Sequence, residues 1–349
     1  MKTPFESMMA DATQLTRAGD LQAAMATIQA ALRGAPAPSP SPSPTNFTSV
    51  IEVEAREVAD DTGRFIAGRF NHPAGSRDYK LYVPPGYKGQ PLPLVVMLHG
   101  CTQDPDDFAR GTRMNEAASE RGFFVLYPSQ AQSANASRCW NWFKHNHQRR
   151  GGGEPALLAA MTQDVMTRYG IDTRRVYVAG LSAGGAMTTI LGDAYPELFA
   201  AVGVHSGLPT GSATNAQSAF EAMRSGAKQP AQPIAAAGRV APVIVFHGDH
   251  DSTVHPINGQ HIVAGRTGAA APQRERARSE NGREYTRTRY RDASGQLMAE
   301  HWIVHGQGHA WSGGSASGSY TDSKGPDATD EMLRFFDEHQ KTGGATSAT

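Results

Sequence analysis

Residues 176–187 read Val-Tyr-Val-Ala-Gly-Leu-Ser-Ala-Gly-Gly-Ala-Met, an apolar run that stops at a glycine, bends about one serine and continues into helix-forming residues. The pattern specifies a strand, a sharp turn and a helix. Such a turn strains its central residue and presses the neighbours against the adjacent strand, so the positions two before and two after must lack side chains. Gly180 and Gly184 meet that demand. The Ser182 hydroxyl then stands clear of the sheet at a helix N-terminus, whose free N–H groups and positive dipole end suit a developing oxyanion. G-x-S-x-G also arises by chance in long Gly-rich chains; the flanking strand and helix are what make Ser182 a candidate nucleophile.

Helical and strand-like patterns alternate around this turn. Residues 51–58, 65–70 and 79–83 alternate as leading strands, and the solid apolar run at 94–98 suits a buried parallel strand. Helix-like 106–121, 154–169, 185–194, 256–264 and 326–339 then interleave with strand-like 123–127, 176–179, 200–205, 243–247, 283–289 and 298–304. That order predicts an α/β fold with a mostly parallel central sheet, helices on both faces and antiparallel leading strands. Ahead of it, Phe5, Met8, Met9, Ala12 and Leu15, then Leu21, Ala24, Met25, Ile28 and Leu32, recur at helical spacing around Gly19-Asp20. This predicts a helical hairpin over residues 1–34. It either packs on the main domain or a second copy, or docks on an apolar surface such as a polymer granule. Alternating proline in residues 35–45 predicts an extended linker. Residues 46–341 form the main domain, and 342–349 a disordered tail.

The 349 residues carry 33 Lys plus Arg against 33 Asp plus Glu, so there is no excess cationic charge for nucleic acid or an anionic membrane. A small neutral substrate fits better. No run reaches the roughly 18 apolar residues of a membrane span, and the N-terminus lacks a basic region followed by an apolar core, so the chain reads as cytoplasmic. Cys101 and Cys139 have no C-x-x-C spacing; they form one bridge or remain two buried thiols. No metal or other cofactor is expected.

A serine needs a base, and the base an orienting acid. His309, in the glycine-rich loop past the strand ending at Val304, is the candidate base; His305, at the strand end, reads as structural. For the acid, the strand 243–247 ends in a turn offering Asp249 and Asp251. Asp251 is preferred, because a strand-end turn presents its acid a few residues beyond the sheet, whereas Asp249 is placed to cap the turn. The oxyanion donors map to the backbone N–H of Ala183, after the nucleophile, and of Cys101, in the turn after the buried strand 94–98. Residues 129–153 are too long for a plain connection, and Trp140, Trp142 and Trp311 either line an apolar acyl pocket or plug the gap between loop and sheet. The basic run 274–278 reads as a solvated face.

Taken together, Leu98-His99-Gly100-Cys101-Thr102-Gln103, Cys139-Trp140-Asn141-Trp142, Gly180-Leu181-Ser182-Ala183-Gly184-Gly185, His205-Ser206-Gly207, His247-Gly248-Asp249-His250-Asp251 and Gly308-His309-Ala310-Trp311 resemble the poly(3-hydroxybutyrate) depolymerase family of esterases, which also includes feruloyl and acetyl-xylan esterases. The resemblance runs in order from Arg77 to His339. It implies an α/β-hydrolase fold for residues 46–341, a Ser182, Asp251 and His309 triad, the Cys101 N–H as an oxyanion donor and a bridge between Cys101 and Cys139. The expected function is a serine esterase acting on short hydroxyalkanoate esters, polymeric or oligomeric. A feruloyl or acetyl-xylan type esterase is the alternative, and an inactive hydrolase-fold protein binding a granule or partner is a rival of another class. Secreted members of the family make an extracellular location the alternative to the cytoplasm.

Overall fold

A computed structural model describes residues 63–227, 240–266 and 271–341. The expected N-terminal hairpin, the linker, the strand at 51–58 and the C-terminal tail lie outside the described residues.

The apolar runs become strands and the amphipathic segments cover them. The strands are β1 (Arg64–His72), β2 (Gly75–Val83), β3 (Leu94–Leu98), β4 (Phe124–Pro128), β5 (Val176–Leu181), β6 (Ala201–His205), β7 (Val243–Gly248), β8 (Gln273–Arg278), β9 (Glu284–Arg291) and β10 (Leu297–Val304). They form one sheet in the order β1-β2-β4-β3-β5-β6-β7-β10-β9-β8. The six from β4 to β10 are mutually parallel, while the β1–β2 hairpin and the β9–β8 hairpin flank them in antiparallel pairing. Strands β3, β5, β6 and β7 are buried at every position, as central parallel strands covered on both faces must be.

Alternate residues of each strand face opposite layers. Leu94, Val96 and Leu98 pack with α3 (Gly153–Tyr169), α4 (Ala183–Ala194), α5 (Ala216–Ser225) and α6 (Ile257–Ala264). Val95 and Met97 pack with α1 (Pro105–Thr112), α2 (Met114–Arg121) and α7 (Ala328–Asp337). The mostly parallel sheet with helices on both faces is therefore the observed architecture.

Two details differ from the sequence expectation. The single helix expected at 106–121 is two, because Arg113 turns left-handed at φ 56° and sends its guanidinium to Asp327 (2.6 Å) and the Gly313 carbonyl (3.1 Å). Helix α5 is an element the apolar spacing does not announce; its start is a reciprocal Asn215/Ser218 capping box, which lacks the acidic third residue of the commoner signature. The basic run is the solvated face expected of it, and it forms β8, an exposed edge strand whose Arg276 and Arg278 pair with Glu284 of β9.

Candidate active site

Ser182 occupies the turn between β5 and α4 with φ 58° and ψ −118°, a region that costs a non-glycine residue on the order of 1–3 kcal/mol. The close packing around it explains the glycines. A Cβ on Gly184 would lie 2.0 Å from the Leu98 carbonyl oxygen, and one on Gly180 would lie 2.6 Å from the Gly184 carbonyl carbon. The Ser182 N–H donates to the His205 carbonyl (2.9 Å), which fixes the turn to β6. Ser182 itself is 9% exposed.

Parallel register brings the other candidates to the same edge of the sheet. Leu181 pairs with His205, His205 with Phe246, and Val304 with Gly248, so the chain leaves β5, β7 and β10 at one level. Asp251 and His309 follow within a few residues, and His309 Nδ1–H donates to Asp251 Oδ2 at 2.7 Å. No hydrogen bond joins the Ser182 hydroxyl to His309 among the described residues, a looseness common before substrate binds. Asp251 Oδ1 accepts the Thr253 and Val254 N–H groups, both at 2.9 Å. His247 Nε2 donates to the Val254 carbonyl (2.8 Å) and lies 3.4 Å from Asp251 Oδ2. Burial alone would raise this carboxyl; the His247 and His309 hydrogen bonds, the His309 charge and the Val254 N–H outweigh it and hold Asp251 well below the usual carboxylate range.

The second aspartate pairs elsewhere. Asp249 accepts from Gly306 N–H (2.6 Å) and lies 2.8 Å from His305 Nδ1, whose Nε2 meets Thr286 Oγ1 at 2.9 Å. Asp249 thus ties the β7 and β10 loops together instead of capping its own turn, and His305 is its structural partner.

The turn after β3 presents one backbone donor. Gln103 Oε1 accepts the Gly100 N–H (2.9 Å), and the Thr102 N–H donates to Ser137 O (2.7 Å). Neither the Cys101 nor the Ala183 N–H donates a hydrogen bond among the described residues. A disulfide joins Cys101 to Cys139 and so ties this turn to the long loop after β4. That loop is anchored in turn on buried Glu154, which accepts from Arg77 (3.1 Å), Gln130 (2.6 Å) and the Asn141 backbone and side chain (both 2.7 Å). Burial opposes ionisation of Glu154, but His147, Gln130 and the two Asn141 donors hold it down at about 2.

The three tryptophans named for an acyl pocket or a plug, Trp140, Trp142 and Trp311, are all buried. The Trp311 ring lies between Phe108 and His205 and its Nε1–H donates to Thr329 Oγ1 (3.1 Å). Trp140 packs beside His99 and Trp142 against Phe143. Each ring packs on neighbouring aromatic side chains and removes a large apolar surface from water.

Two supports escaped the sequence reading as functional positions. Besides holding the Ser182 N–H, His205 accepts the Ser312 N–H on Nε2 (3.0 Å) and meets Ser206 Oγ through Nδ1 (3.2 Å), so it braces both the serine turn and the loop that follows His309. Burial keeps it far below the ordinary imidazole range, and neutral. His99, pushed down to about 4 by burial, accepts the Gln130 N–H (3.2 Å) and donates to the Gly100 carbonyl (2.7 Å). Both stand in segments that carry the family resemblance, Leu98-His99-Gly100 and His205-Ser206-Gly207, and each follows or closes a buried strand.

Residues 77–267 match the family model described as Esterase PHB depolymerase, a span that holds Ser182, Asp251 and Cys101 and ends before His309. The chain is 32% identical over 237 residues to poly(3-hydroxyalkanoate) depolymerase C of Paucimonas lemoignei, covering 65% of this chain and 57% of that protein. It is 30% identical over 219 residues to a probable acetylxylan esterase A of Aspergillus fumigatus, covering 58% of each. It thus spans little more than half the length of these curated relatives. The solved acetyl xylan esterase of Aspergillus awamori superposes with a TM-score of 0.62 at 22% identity, over 78% of this chain and 99% of that one, a likeness of fold. With the family model spanning more than half of the 349 residues, the chain belongs to the esterase PHB depolymerase family, and its fold is that of the α/β-hydrolases.

Proposed function

We propose that this chain is a serine esterase in which Ser182 is the nucleophile, His309 the base and Asp251 the acid that orients it. The observation that carries the reading is the 2.7 Å bond between Asp251 and His309 at the sheet edge where Ser182 stands in its strained turn. With its Nδ1–H held by Asp251, His309 keeps Nε2 free to take the Ser182 proton as Oγ attacks the ester carbonyl. The Cys101 and Ala183 N–H groups receive the oxyanion. The imidazolium then protonates the leaving alcohol, and water activated at the same Nε2 releases the acid.

Short hydroxyalkanoate esters, as oligomer or polymer, are the first substrate class, and feruloyl or acetyl-xylan type esters the second; the depolymerases and acetylxylan esterases among the relatives support both. In the domain plan, a hairpin (1–34) on a linker (35–45) is tethered to the hydrolase domain (46–341) and serves a granule surface or self-association. The Cys101–Cys139 bridge supports an oxidising, extracellular compartment over the cytoplasm. The test is hydrolysis of 3-hydroxybutyrate oligomers, methyl ferulate and acetylated xylan by wild type and Ser182→Ala, with a fluorophosphonate probe in parallel. Labelling at Ser182 and loss of turnover in the variant are expected; an unlabelled wild type that hydrolyses nothing returns the chain to the binding-protein reading.

A further inference from the structure

Two short strands, β11 (Trp311–Ser312) and β12 (Thr321–Asp322), enclose a loop that crosses from the His309 side of the site to the turn after β3. At its end sits Tyr320. Its carbonyl accepts the Trp311 N–H (2.7 Å), two residues beyond His309, and its hydroxyl lies 3.2 Å from Thr102 Oγ1, next to Cys101. Thr102 Oγ1–H donates to the Cys101 carbonyl (2.6 Å), so the phenol is the donor in the bond to Thr102. Tyr320 therefore bridges the loop carrying the proposed base and the turn carrying the proposed oxyanion donor.

An exposed aromatic ring on its own signifies nothing. Three observations separate this one from an ordinary surface tyrosine. First, Tyr320 and Thr102 are both non-glycine residues with positive φ, 52° and 66°, where glycine would be free of strain. Second, the backbone beneath the ring is anchored: Ser319 donates its N–H (2.9 Å) and its hydroxyl to Asp107, and its carbonyl accepts from Gln103 Nε2 (3.2 Å), the residue that also braces Gly100. Third, Tyr320 stays 46% exposed despite those ties, one of two large hydrophobic residues so exposed among the described residues; the other, Phe220 at 70%, lies on α5. A large, amphipathic ring on a fixed base loses little conformational freedom when a ligand covers it, which is what a contact surface for an extended substrate requires.

We infer that Tyr320 is a specificity-determining residue: its ring is the platform on which the apolar methyl and methylene groups of an ester chain lie once the scissile carbonyl reaches Ser182. The bond to Thr102 fixes the ring's orientation, and the ring's face supplies the contact. This rests on the esterase reading of the same site. A chain several units long covers the ring and a two-carbon acyl ester covers little of it, so selection by length follows.

The experiment compares wild type, Tyr320→Ala and Tyr320→Phe on p-nitrophenyl acetate and on a 3-hydroxybutyrate trimer, with circular dichroism melts as a fold control. Tyr320→Ala is expected to lower kcat/KM for the trimer about tenfold more than for p-nitrophenyl acetate, mostly through KM, as loss of one buried aromatic contact implies. Tyr320→Phe, which keeps the ring, is expected to recover most of the trimer rate. Equal losses on both esters, or a Tyr320→Phe variant as impaired as Tyr320→Ala, would overturn the platform. A wild type that hydrolyses neither ester would instead refute the esterase reading.

Discussion

Replacing Cys101 and Cys139 together by serine removes a cross-link that closes a loop of 38 residues. The chain-entropy cost of leaving that loop open in the unfolded state is about 13 cal/mol/K, or about 4 kcal/mol near room temperature. With an unfolding entropy of about 2.1 cal/mol/K per residue over a domain of roughly 280 residues, the melting temperature should fall by roughly 7 °C. Activity should fall as well, because the bridge anchors the residue whose N–H is the proposed oxyanion donor. The loss should be smaller than the hundredfold or more of deleting such a donor, since the Gln103 and Ser137 hydrogen bonds still hold the turn; about tenfold in kcat is the expectation. Calorimetry with and without dithiothreitol, and kcat on p-nitrophenyl acetate, measure both quantities. Reductant should shift wild type toward the double variant and leave the double variant unmoved. A melting temperature within about 1 °C of wild type would refute the loop-entropy argument, and an unchanged kcat would refute the coupling of bridge to oxyanion turn.

Asp251→Asn keeps an acceptor for the Thr253 and Val254 N–H groups but turns an amide N–H toward His309 Nδ1–H, so kcat should fall about a thousandfold or more with KM little changed, measured by steady-state hydrolysis. Gly184→Ala forces a methyl to within 2.0 Å of the Leu98 carbonyl, and the backbone must move; loss of more than about 4 kcal/mol, or failure to fold, is expected in urea unfolding. Glu154 has a folded-state pKa below its unfolded one, so its contribution is fully present above about pH 4.5 and is lost as the pH falls toward about 2, on the order of 3 kcal/mol in all. Unfolding curves at successive pH values should show that loss in wild type and a correspondingly flatter profile in Glu154→Gln. The variant should already be less stable at neutral pH, because Arg77 stays buried beside an uncharged amide.

Features that depend on near neighbours can be read along the chain. Solid runs such as 94–98 and 243–247 declare strands buried on both faces, because only burial on both sides suits an unbroken apolar stretch. Gly180 and Gly184 mark the turn around Ser182, because the requirement for no Cβ is local. Asp251 and His309 were legible as candidates for the same reason: each follows a strand whose end could be read. Contacts between distant segments need the folded chain to be seen. Which aspartate meets which histidine depends on the register of β7 beside β10, which sets Asp251 against His309 and Asp249 against His305. That Arg113 breaks a helix to reach Asp327 and that Tyr320 bridges to Thr102 across 218 positions are invisible along the chain. Local propensity is carried by a few adjacent residues, whereas these pairings exist only once the sheet has aligned segments that sequence separation keeps apart.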